Sequence, residues 1–294
     1  MKDQLIKTIS KNGKIRAYFM SATDLINEAF RIHHTFPTAT AALGRTLIAA
    51  AMMGAMQKSE QDRLDIQIKG GGELGTILAI SDYHAIVKGY VQNPEVDMPI
   101  NAKGKLDVGK AVGTNGYFSV IQDIGLKEPV IGTVELVSGE IGEDLALYFA
   151  RSEQIPSIVA LGVLIDTDGS CRAAGGYIIQ LMPGADEEII SALENQIAKI
   201  APISFLIDEG KTPEQIMECL LGDFEMEILE ELQPEYRCDC SRSRIERALI
   251  SIGKKDLSEI IEEDGKAQLI CHFCDQVYDF NKEELISLLY KASR

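Results

Sequence analysis

The sequence predicts an α+β protein in which an N-terminal mixed α/β domain with a largely antiparallel sheet precedes a helical middle segment and a small C-terminal domain. Short β-branched runs alternate with helical stretches through the first 180 residues, which is typical of a mixed architecture. Apolar side chains then recur every three or four positions in residues 181–232, which indicates amphipathic helices. Four of the six cysteines lie in the last 57 residues, a module short enough to need a cross-link.

Local patterns predict the N-terminal elements in chain order. Two strands, residues 5–10 and 15–22, flank the turn Asn12-Gly13. Two helices follow over residues 23–34 and 38–57, and the second has a face of small residues suited to close packing. The remaining predictions are strands over 64–69, 76–80 and 84–91 (which includes His84), a helix over 143–154, and apolar strands over 159–166 and 177–182.

Composition excludes several classes of protein. With 46% hydrophobic and 25% charged residues, the chain of 294 residues is predicted to build a core. The formal net charge of −16 argues against a nucleic-acid-binding surface. The longest uncharged apolar run, residues 46–56, is too short for a bilayer, which takes roughly 20 residues. Since the N-terminal stretch also lacks a secretory pattern, we expect a soluble cytoplasmic protein without a membrane partner.

Charge divides the chain into three predicted domains. Residues 1–180 carry 17 basic and 20 acidic side chains and form the N-terminal α+β core domain. Residues 181–232 carry 2 against 13 and form an acidic helical linker, with a capping box at Thr212 and a third helix through Leu232. Residues 233–294 carry 10 against 12 and form the C-terminal domain. Because like charges repel, we expect a metastable linker that folds only against a neighbour; an always-folded acidic helix is the alternative.

The C-terminal cysteines form two pairs with the spacing of a metal site. Cys238-Asp-Cys240 is followed, after two capped helices, by Cys271-His-Phe-Cys274 at the turn of a predicted hairpin, and a last helix begins after this hairpin. Four thiolates around one Zn²⁺ complete a tetrahedron and staple a small module. The alternatives are four unligated thiols, or His272 in place of one cysteine.

The surroundings of the first pair favour thiolates. Arg237, Arg242 and Arg244 flank it, and a helix is predicted to begin near Ser243; both features lower thiol pKa values, unless the arginines are only solvated. Tetrahedral zinc holds neighbouring sulfurs about 4 Å apart, so each pair is poised to close on itself when an oxidant attacks. Structural zinc contributes roughly 10–16 kcal/mol to the folding of small modules, so its loss is expected to unfold this one.

These residues resemble the 33-kDa redox-regulated chaperonin family of bacterial heat-shock holdases. The resemblance rests on Ser241-Arg242 after the first cysteine pair and on Glu-Asp-Gly at 263–265 leading to the second. It extends upstream to "YFARSEQIP" at 148–156, "AAGG" at 173–176 and "LMPG" at 181–184, and therefore covers essentially the whole chain.

The resemblance implies a redox-regulated, ATP-independent molecular chaperone that is not an enzyme. On this resemblance, Cys238, Cys240, Cys271 and Cys274 are expected to bind zinc in the reduced, inactive state. Oxidation is expected to form the disulfides Cys238–Cys240 and Cys271–Cys274, to release zinc and to unfold the linker. The oxidised protein is then expected to dimerise and to bind unfolding client proteins, which prevents their aggregation under oxidative and heat stress.

The remaining sequence motifs do not indicate a functional site. The pattern G-x-G-x-x-G at Gly70–Gly75 is followed by strand-like residues, so it indicates a hairpin turn and no nucleotide site. Cys171 and Cys219 match no motif and are expected to be ordinary, semi-buried cysteines. The adjacent His33 and His34 are expected in a loop or helix end, as core or surface residues.

Two further function classes remain open from the sequence. One is a zinc-ribbon regulator that binds nucleic acid or a protein partner, against which the acidic charge weighs. The other is a thiol oxidoreductase using Cys271-His-Phe-Cys274, although that chemistry normally places the first cysteine at a helix N-terminus, and this pair is predicted in a hairpin.

Overall fold

The computed structural model describes residues 2–102 and 104–291, and it contains two compact units, Met1–Arg237 and Cys238–Arg294. The domain boundaries expected from charge, after residues 180 and 232, stay predictions. Within the described residues, no helix is both long enough and apolar enough to cross a membrane.

The first unit contains eleven labelled strands and seven α-helices within its described residues. The strands are β1 (Gln4–Ser10), β2 (Ile15–Ser21), β3 (Arg63–Lys69), β4 (Thr76–Asp82), β5 (Ile86–Val91), β6 (Tyr117–Asp123), β7 (Val130–Glu135), β8 (Ser157–Ile165), β9 (Cys171–Leu181), β10 (Met226–Leu232) and β11 (Glu235–Tyr236). The helices are α1 (Thr23–His33), α2 (Pro37–Gly54), α3 (Val108–Val112), α4 (Gly142–Tyr148), α5 (Glu187–Ile197), α6 (Ile203–Asp208) and α7 (Pro213–Leu221).

The strands form two sheets. The first, sheet A, has the order β10-β1-β2-β9-β8, and all of its neighbours are antiparallel. The second, sheet B, has the order β11-β5-β4-β3-β6-β7, and only the short β11–β5 pair is parallel. The predicted α+β class with a largely antiparallel sheet is confirmed.

Helix α2 lies between the sheets because its small residues let strands approach from both sides. It contacts β3, β4 and β5 of sheet B as well as β8 and β9 of sheet A, and nearly all of its residues are buried. A Cβ at Gly54 would lie only 2.4 Å from the Ser81 hydroxyl, and one at Gly176 of β9 would lie 2.9 Å from Ile48. The predicted small-residue packing face is therefore confirmed.

The other face of sheet A is covered by α5, α6 and α7. This second core joins apolar residues of β1, β2 and β9 to apolar residues of the three helices. The sheet contributes Ile6, Ile15, Ala17, Phe19, Tyr177 and Ile179, and the helices contribute Leu193, Ile203, Leu206, Ile216, Met217, Leu220 and Leu221. The covering helices belong to the acidic segment identified from the sequence.

The predicted third helix through Leu232 is wrong, because residues 226–232 form the edge strand β10 of sheet A. Glu, Leu and Met favour a helix, but pairing with β1 overrides that preference. Lys7 of β1, whose side chain is 11% exposed, reaches the Glu230 carboxylate at 2.7 Å and lies 4.3 Å from the centre of the Tyr83 ring. The register with β10 shifts by one residue between Lys7 and Thr8, so Leu229 of β10 has no partner in β1, and its side chain is exposed.

Two smaller expectations also differ from the structure. The helix predicted over 143–154 is α4 followed by a π-helical turn, Phe149–Glu153, which Gln154 ends with a φ of 56°. His84 lies in the turn between β4 and β5 and not in a strand, since Ala85 with a φ of 60° reverses the chain there.

Asp3 gives the first unit a defined pH dependence. Its buried carboxylate accepts the Leu25 N–H of α1 at 2.7 Å, and burial outweighs such bonds and raises its pKa from 3.8 to about 6. The folded state therefore binds a proton that the unfolded state lacks, which adds stability that is complete below pH 3.8 and lost as pH rises through about 6. We expect urea unfolding to show a gain of roughly 0.5–1 kcal/mol between pH 7.5 and 5.5. The Asp3→Asn variant should show a smaller gain, and equal pH profiles would contradict this assignment.

Tyr236 anchors the end of the first unit. Its buried hydroxyl donates to the Gly89 carbonyl at 2.8 Å and lies 2.8 Å from Nε2 of His33. We expect Tyr236→Phe to lower the free energy of unfolding by about 1–3 kcal/mol, because buried partners lose a hydrogen bond. Urea unfolding measures the loss, and Tyr117→Phe, at a residue 53% exposed, is the matched control. Equal effects of the two substitutions would refute the anchoring role.

Candidate metal centre and its surroundings

The second unit is a small module built from α8 (Arg242–Ser251), α9 (Lys254–Glu263), β12 (Lys266–Ile270), β13 (Val277–Asn281) and α10 (Lys282–Lys291). Its core consists of six buried side chains, Leu249, Leu257, Ile261, Phe280, Leu285 and Leu288. The predicted hairpin is confirmed by antiparallel pairing of β12 with β13. The predicted last helix follows, and Asn281 caps it by accepting the Glu284 N–H at 3.0 Å.

The hairpin turn positions the second cysteine pair. The Cys271 N–H donates to the Gln276 carbonyl, and the Cys271 carbonyl accepts the N–H groups of Cys274 and Asp275 at 3.2 and 2.8 Å. Asp275 has a φ of 56°, which closes the turn tightly. Backbone hydrogen bonds therefore hold both thiols on one side of a short loop.

The helix α8 follows directly after the first pair. Ser241 is its N-cap and accepts the Arg244 N–H, so the helix begins at Arg242, one residue before the predicted start. Cys238 and Cys240 thus lie in the extended chain immediately before a helix N-terminus.

The four predicted thiols converge. Their Sγ atoms all lie within 4.8 Å of one another. The sulfurs of Cys238 and Cys271 are 3.7 Å apart, and those of Cys240 and Cys274 are 3.3 Å apart. Four sulfurs at such distances fit tetrahedral coordination, in which Zn–S bonds of about 2.3 Å place sulfurs about 4 Å apart. Soft thiolates favour zinc, so the residues fit that ion chemically.

The thiols differ in acidity. Burial raises the pKa of Cys238 to about 11 and also raises that of Cys274. Burial opposes ionisation of Cys240 as well, but hydrogen bonds from Tyr278 and the neighbouring thiols outweigh it and lower the Cys240 pKa. Of these three thiols, Cys240 is therefore the one whose ionisation its surroundings favour.

The expected role of the flanking arginines is not confirmed. Arg237 pairs with Glu235 at 3.3 Å, and Arg244 pairs with Asp239 at 2.5 Å. Arg242 pairs with Glu284 at 2.7 Å and covers the Phe280 ring. Each guanidinium thus faces a carboxylate, and the expectation that the arginines lower the thiol pKa is wrong for Cys238, whose pKa is raised by burial.

Tyr278 was not identified from the sequence. Its hydroxyl lies 3.1 Å from Sγ of Cys240, and the hydrogen bond between them raises the Tyr278 pKa to about 12. The feature that places Tyr278 near the sulfurs is the register of the hairpin, in which Tyr278 opposes Leu269 and follows Cys274 by four residues. Sequence spacing alone does not indicate which face of the strand points toward the sulfurs.

The remaining candidate residues lie elsewhere. Cys171 is buried, with a pKa raised to about 12 by that burial, whereas Cys219 is exposed on α7, so neither is semi-buried as expected. His33 and His34 end α1, as predicted, and His272 is exposed beside the cluster.

The glycine pattern that formally resembles a nucleotide motif is a hairpin connection, as predicted. It lies between β3 and β4, so a strand and not a helix follows it. A Cβ at Gly70 or Gly72 would lie 2.2 or 2.3 Å from backbone carbonyl oxygens in α3. Close backbone packing explains these two glycines.

Comparison with known proteins agrees with this arrangement. Residues 3–281 match the family model described as Hsp33 protein. The chain is 50% identical over 292 residues to a 33 kDa chaperonin of Bacillus velezensis, covering 99% of this chain and 100% of the relative. It is 51% identical over 297 residues to a 33 kDa chaperonin of Clostridium perfringens, covering 100% and 93%.

A solved structure is similar throughout. The crystal structure of the 33 kDa chaperonin (heat shock protein 33 homolog) from Thermotoga maritima superposes with a TM-score of 0.92 at 36% identity, and covers 100% of both chains. Since the family model and these relatives match nearly the whole length, the chain belongs to the Hsp33 family of chaperonins.

Proposed function

We propose that this chain is a redox-regulated, ATP-independent holdase of the cytoplasm, inactive when reduced. It binds unfolding client proteins under oxidative and heat stress and prevents their aggregation, without enzymatic activity and without a nucleic-acid or membrane partner. The oxidised form is a homodimer. The observation that carries this proposal is the acidic segment that covers an apolar face of sheet A.

In the reduced state, the thiolates of Cys238, Cys240, Cys271 and Cys274 would hold one Zn²⁺. The ion would supply a cross-link between the chain before α8 and the hairpin turn. That cross-link matters because the module's buried core contains only six side chains. The convergence of the four sulfurs supports this assignment.

Oxidation removes the ligands. When a peroxide molecule oxidises a pair of thiols, one S–S bond forms, the sulfurs lose two electrons and the peroxide becomes two molecules of water. The disulfides Cys238–Cys240 and Cys271–Cys274 use all four ligand atoms, so none remains as a thiolate. Without its cross-link, the small module is expected to unfold.

The acidic segment, residues 181–232, is suited to detachment from sheet A. Two of its acids pair with basic residues of the first 180: Asp186 with Lys14 and Asp208 with Arg172, both at 2.7 Å. Exposed pairs of this kind contribute little, typically below about 1 kcal/mol each. Its helices therefore depend on packing against sheet A, whereas its last strand, β10, pairs with β1 and ends six residues before Cys238.

Detachment would uncover a surface that fits unfolded proteins. The covered face of sheet A presents residues such as Phe19, Tyr177 and Ile179, all now buried. Large exposed apolar patches bind other apolar surfaces. A sheet face of this kind recognises apolar segments without requiring a specific sequence, as a holdase must.

The thiol oxidoreductase alternative is less consistent with the geometry. The second pair lies in a β-hairpin turn, where the Cys271 N–H is bonded within the loop. Attacking thiols of oxidoreductases are activated at helix N-termini. Turnover in an insulin-reduction assay would revive that alternative.

The proposal is tested with the zinc-loaded protein and hydrogen peroxide under mild heat. Zinc release is followed with a chromogenic chelator, while light scattering follows the aggregation of an unfolding client. We expect both signals to change together, and reductant to reverse them. Zinc release without suppression of aggregation would overturn the holdase assignment.

A further inference from the structure

Tyr278 makes a polar contact with the cysteine cluster that the proposed switch does not use. Its hydroxyl lies 3.1 Å from Sγ of Cys240. The sulfur of Cys274 lies 3.3 Å from the sulfur of Cys240. Cys240 is therefore contacted from two sides, by a sulfur of the hairpin turn and by a phenol of the following strand.

The hairpin fixes this contact. Tyr278 pairs with Leu269 in the β12–β13 ladder, and the adjacent Val277–Ile270 pair closes the turn that carries Cys271 and Cys274. The phenol is thus placed by the same backbone that places the second cysteine pair. Its orientation does not depend on a flexible loop.

The hydroxyl is the donor in this bond when the cysteines are ligands, because ligand sulfurs are thiolates and accept only. Hydrogen bonds to ligand sulfur atoms change the electron density of the site without changing its ligands. In a ligated site every sulfur is already deprotonated, so the bond acts on the nucleophilicity of Cys240 and not on its fraction of thiolate.

We propose that Tyr278 is a positioning residue of the redox switch, whose O–H···S bond holds back the attack of Cys240 on oxidants and leaves Cys238 as the first oxidised residue of that pair. This inference rests on the proposed redox function. It predicts the order in which Cys238 and Cys240 are oxidised. The arrangement of the four sulfurs alone does not predict that order.

Oxidation of the first cysteine pair proceeds in two steps. The Cys238 thiolate attacks one peroxide oxygen, so that an S–O bond forms, the O–O bond breaks, and hydroxide leaves; sulfur loses two electrons and the product is a sulfenic acid. The Cys240 thiolate then attacks this sulfur, an S–S bond forms, and the S–O bond breaks with loss of a second hydroxide. Two protons from solvent convert the hydroxides to water.

The test measures which sulfur is oxidised first. Zinc-loaded protein is treated briefly with hydrogen peroxide in the presence of dimedone, and mass spectrometry gives the ratio of Cys240 to Cys238 sulfenic acid. We expect Tyr278→Phe to raise this ratio about threefold to tenfold, which is the net scale of one typical hydrogen bond. Tyr290→Phe, at a residue 74% exposed on α10 of the same unit, should leave the ratio unchanged.

A general loss of packing would expose both thiols and raise both rates, so the ratio separates the hydrogen bond from a structural role. An unchanged ratio in Tyr278→Phe protein with full zinc content would overturn the inference. Should that variant lose zinc, Tyr278→3-fluorotyrosine keeps the hydroxyl as a stronger donor and should lower the ratio; an unchanged ratio there would be equally decisive. The ratio is measured whether or not oxidation activates a holdase, so the two proposals fail separately.

Discussion

Replacing Cys238 and Cys240 together by serine is expected to abolish zinc binding and to unfold residues 238–291. Structural zinc contributes roughly 10–16 kcal/mol to small modules, which exceeds the stability of a core as small as this one. The variant should suppress client aggregation without an oxidant and in the presence of reductant. Metal analysis, circular dichroism and light scattering measure the three effects.

Cys219→Ser is the matched control for this variant, because Cys219 is exposed and lies outside the cluster. It should keep one zinc per chain and should still require peroxide. A Cys238→Ser, Cys240→Ser protein that also needed peroxide for activity would contradict the idea that the four thiolates lock the inactive state.

Replacing Ile216 by aspartate is expected to detach the covering helices while leaving zinc bound. Ile216 is 1% exposed in the core between α7 and sheet A, and an unpaired charge there costs several kcal/mol. The reduced, zinc-loaded variant should then suppress aggregation, since the apolar face is uncovered without oxidation. Client light scattering together with zinc analysis provides the measurement.

The control places the same new charge on the exposed side of the same helix. Cys219→Asp adds one carboxylate to α7 without entering the core. It should behave as the unmodified protein. If Ile216→Asp stayed inactive although hydrogen exchange showed α7 detached, the covered face would not be the client surface.

Much of this arrangement could be predicted from residue patterns. The convergence of the four cysteines was predictable because metal ligands follow characteristic spacings, and Cys238-Asp-Cys240 with Cys271-His-Phe-Cys274 has such a spacing. The helix with small residues was predictable because its composition suits contact on every side.

Other features depend on contacts between distant residues. Residues 226–232 contain good helix formers, and only pairing with β1, including Lys7 with Glu230, makes them a strand. The arginines near Cys238 were predicted to lower the thiol pKa values, but they form ion pairs with carboxylates such as Asp239 and Glu284. The contact of Tyr278 could not be predicted, because only the register of the folded hairpin places its hydroxyl beside the Cys240 sulfur.

The central claim is that oxidation of the cysteines uncovers sheet A, and hydrogen exchange measures this most directly. Peptides from residues 187–221 and from the covered strands β1, β2 and β9 are compared in the reduced zinc-loaded and the peroxide-oxidised protein. We predict that the helical peptides lose protection on oxidation, while the strand peptides keep their backbone protection because the sheet remains paired. Equally strong protection of residues 187–221 in both redox states would contradict the claim.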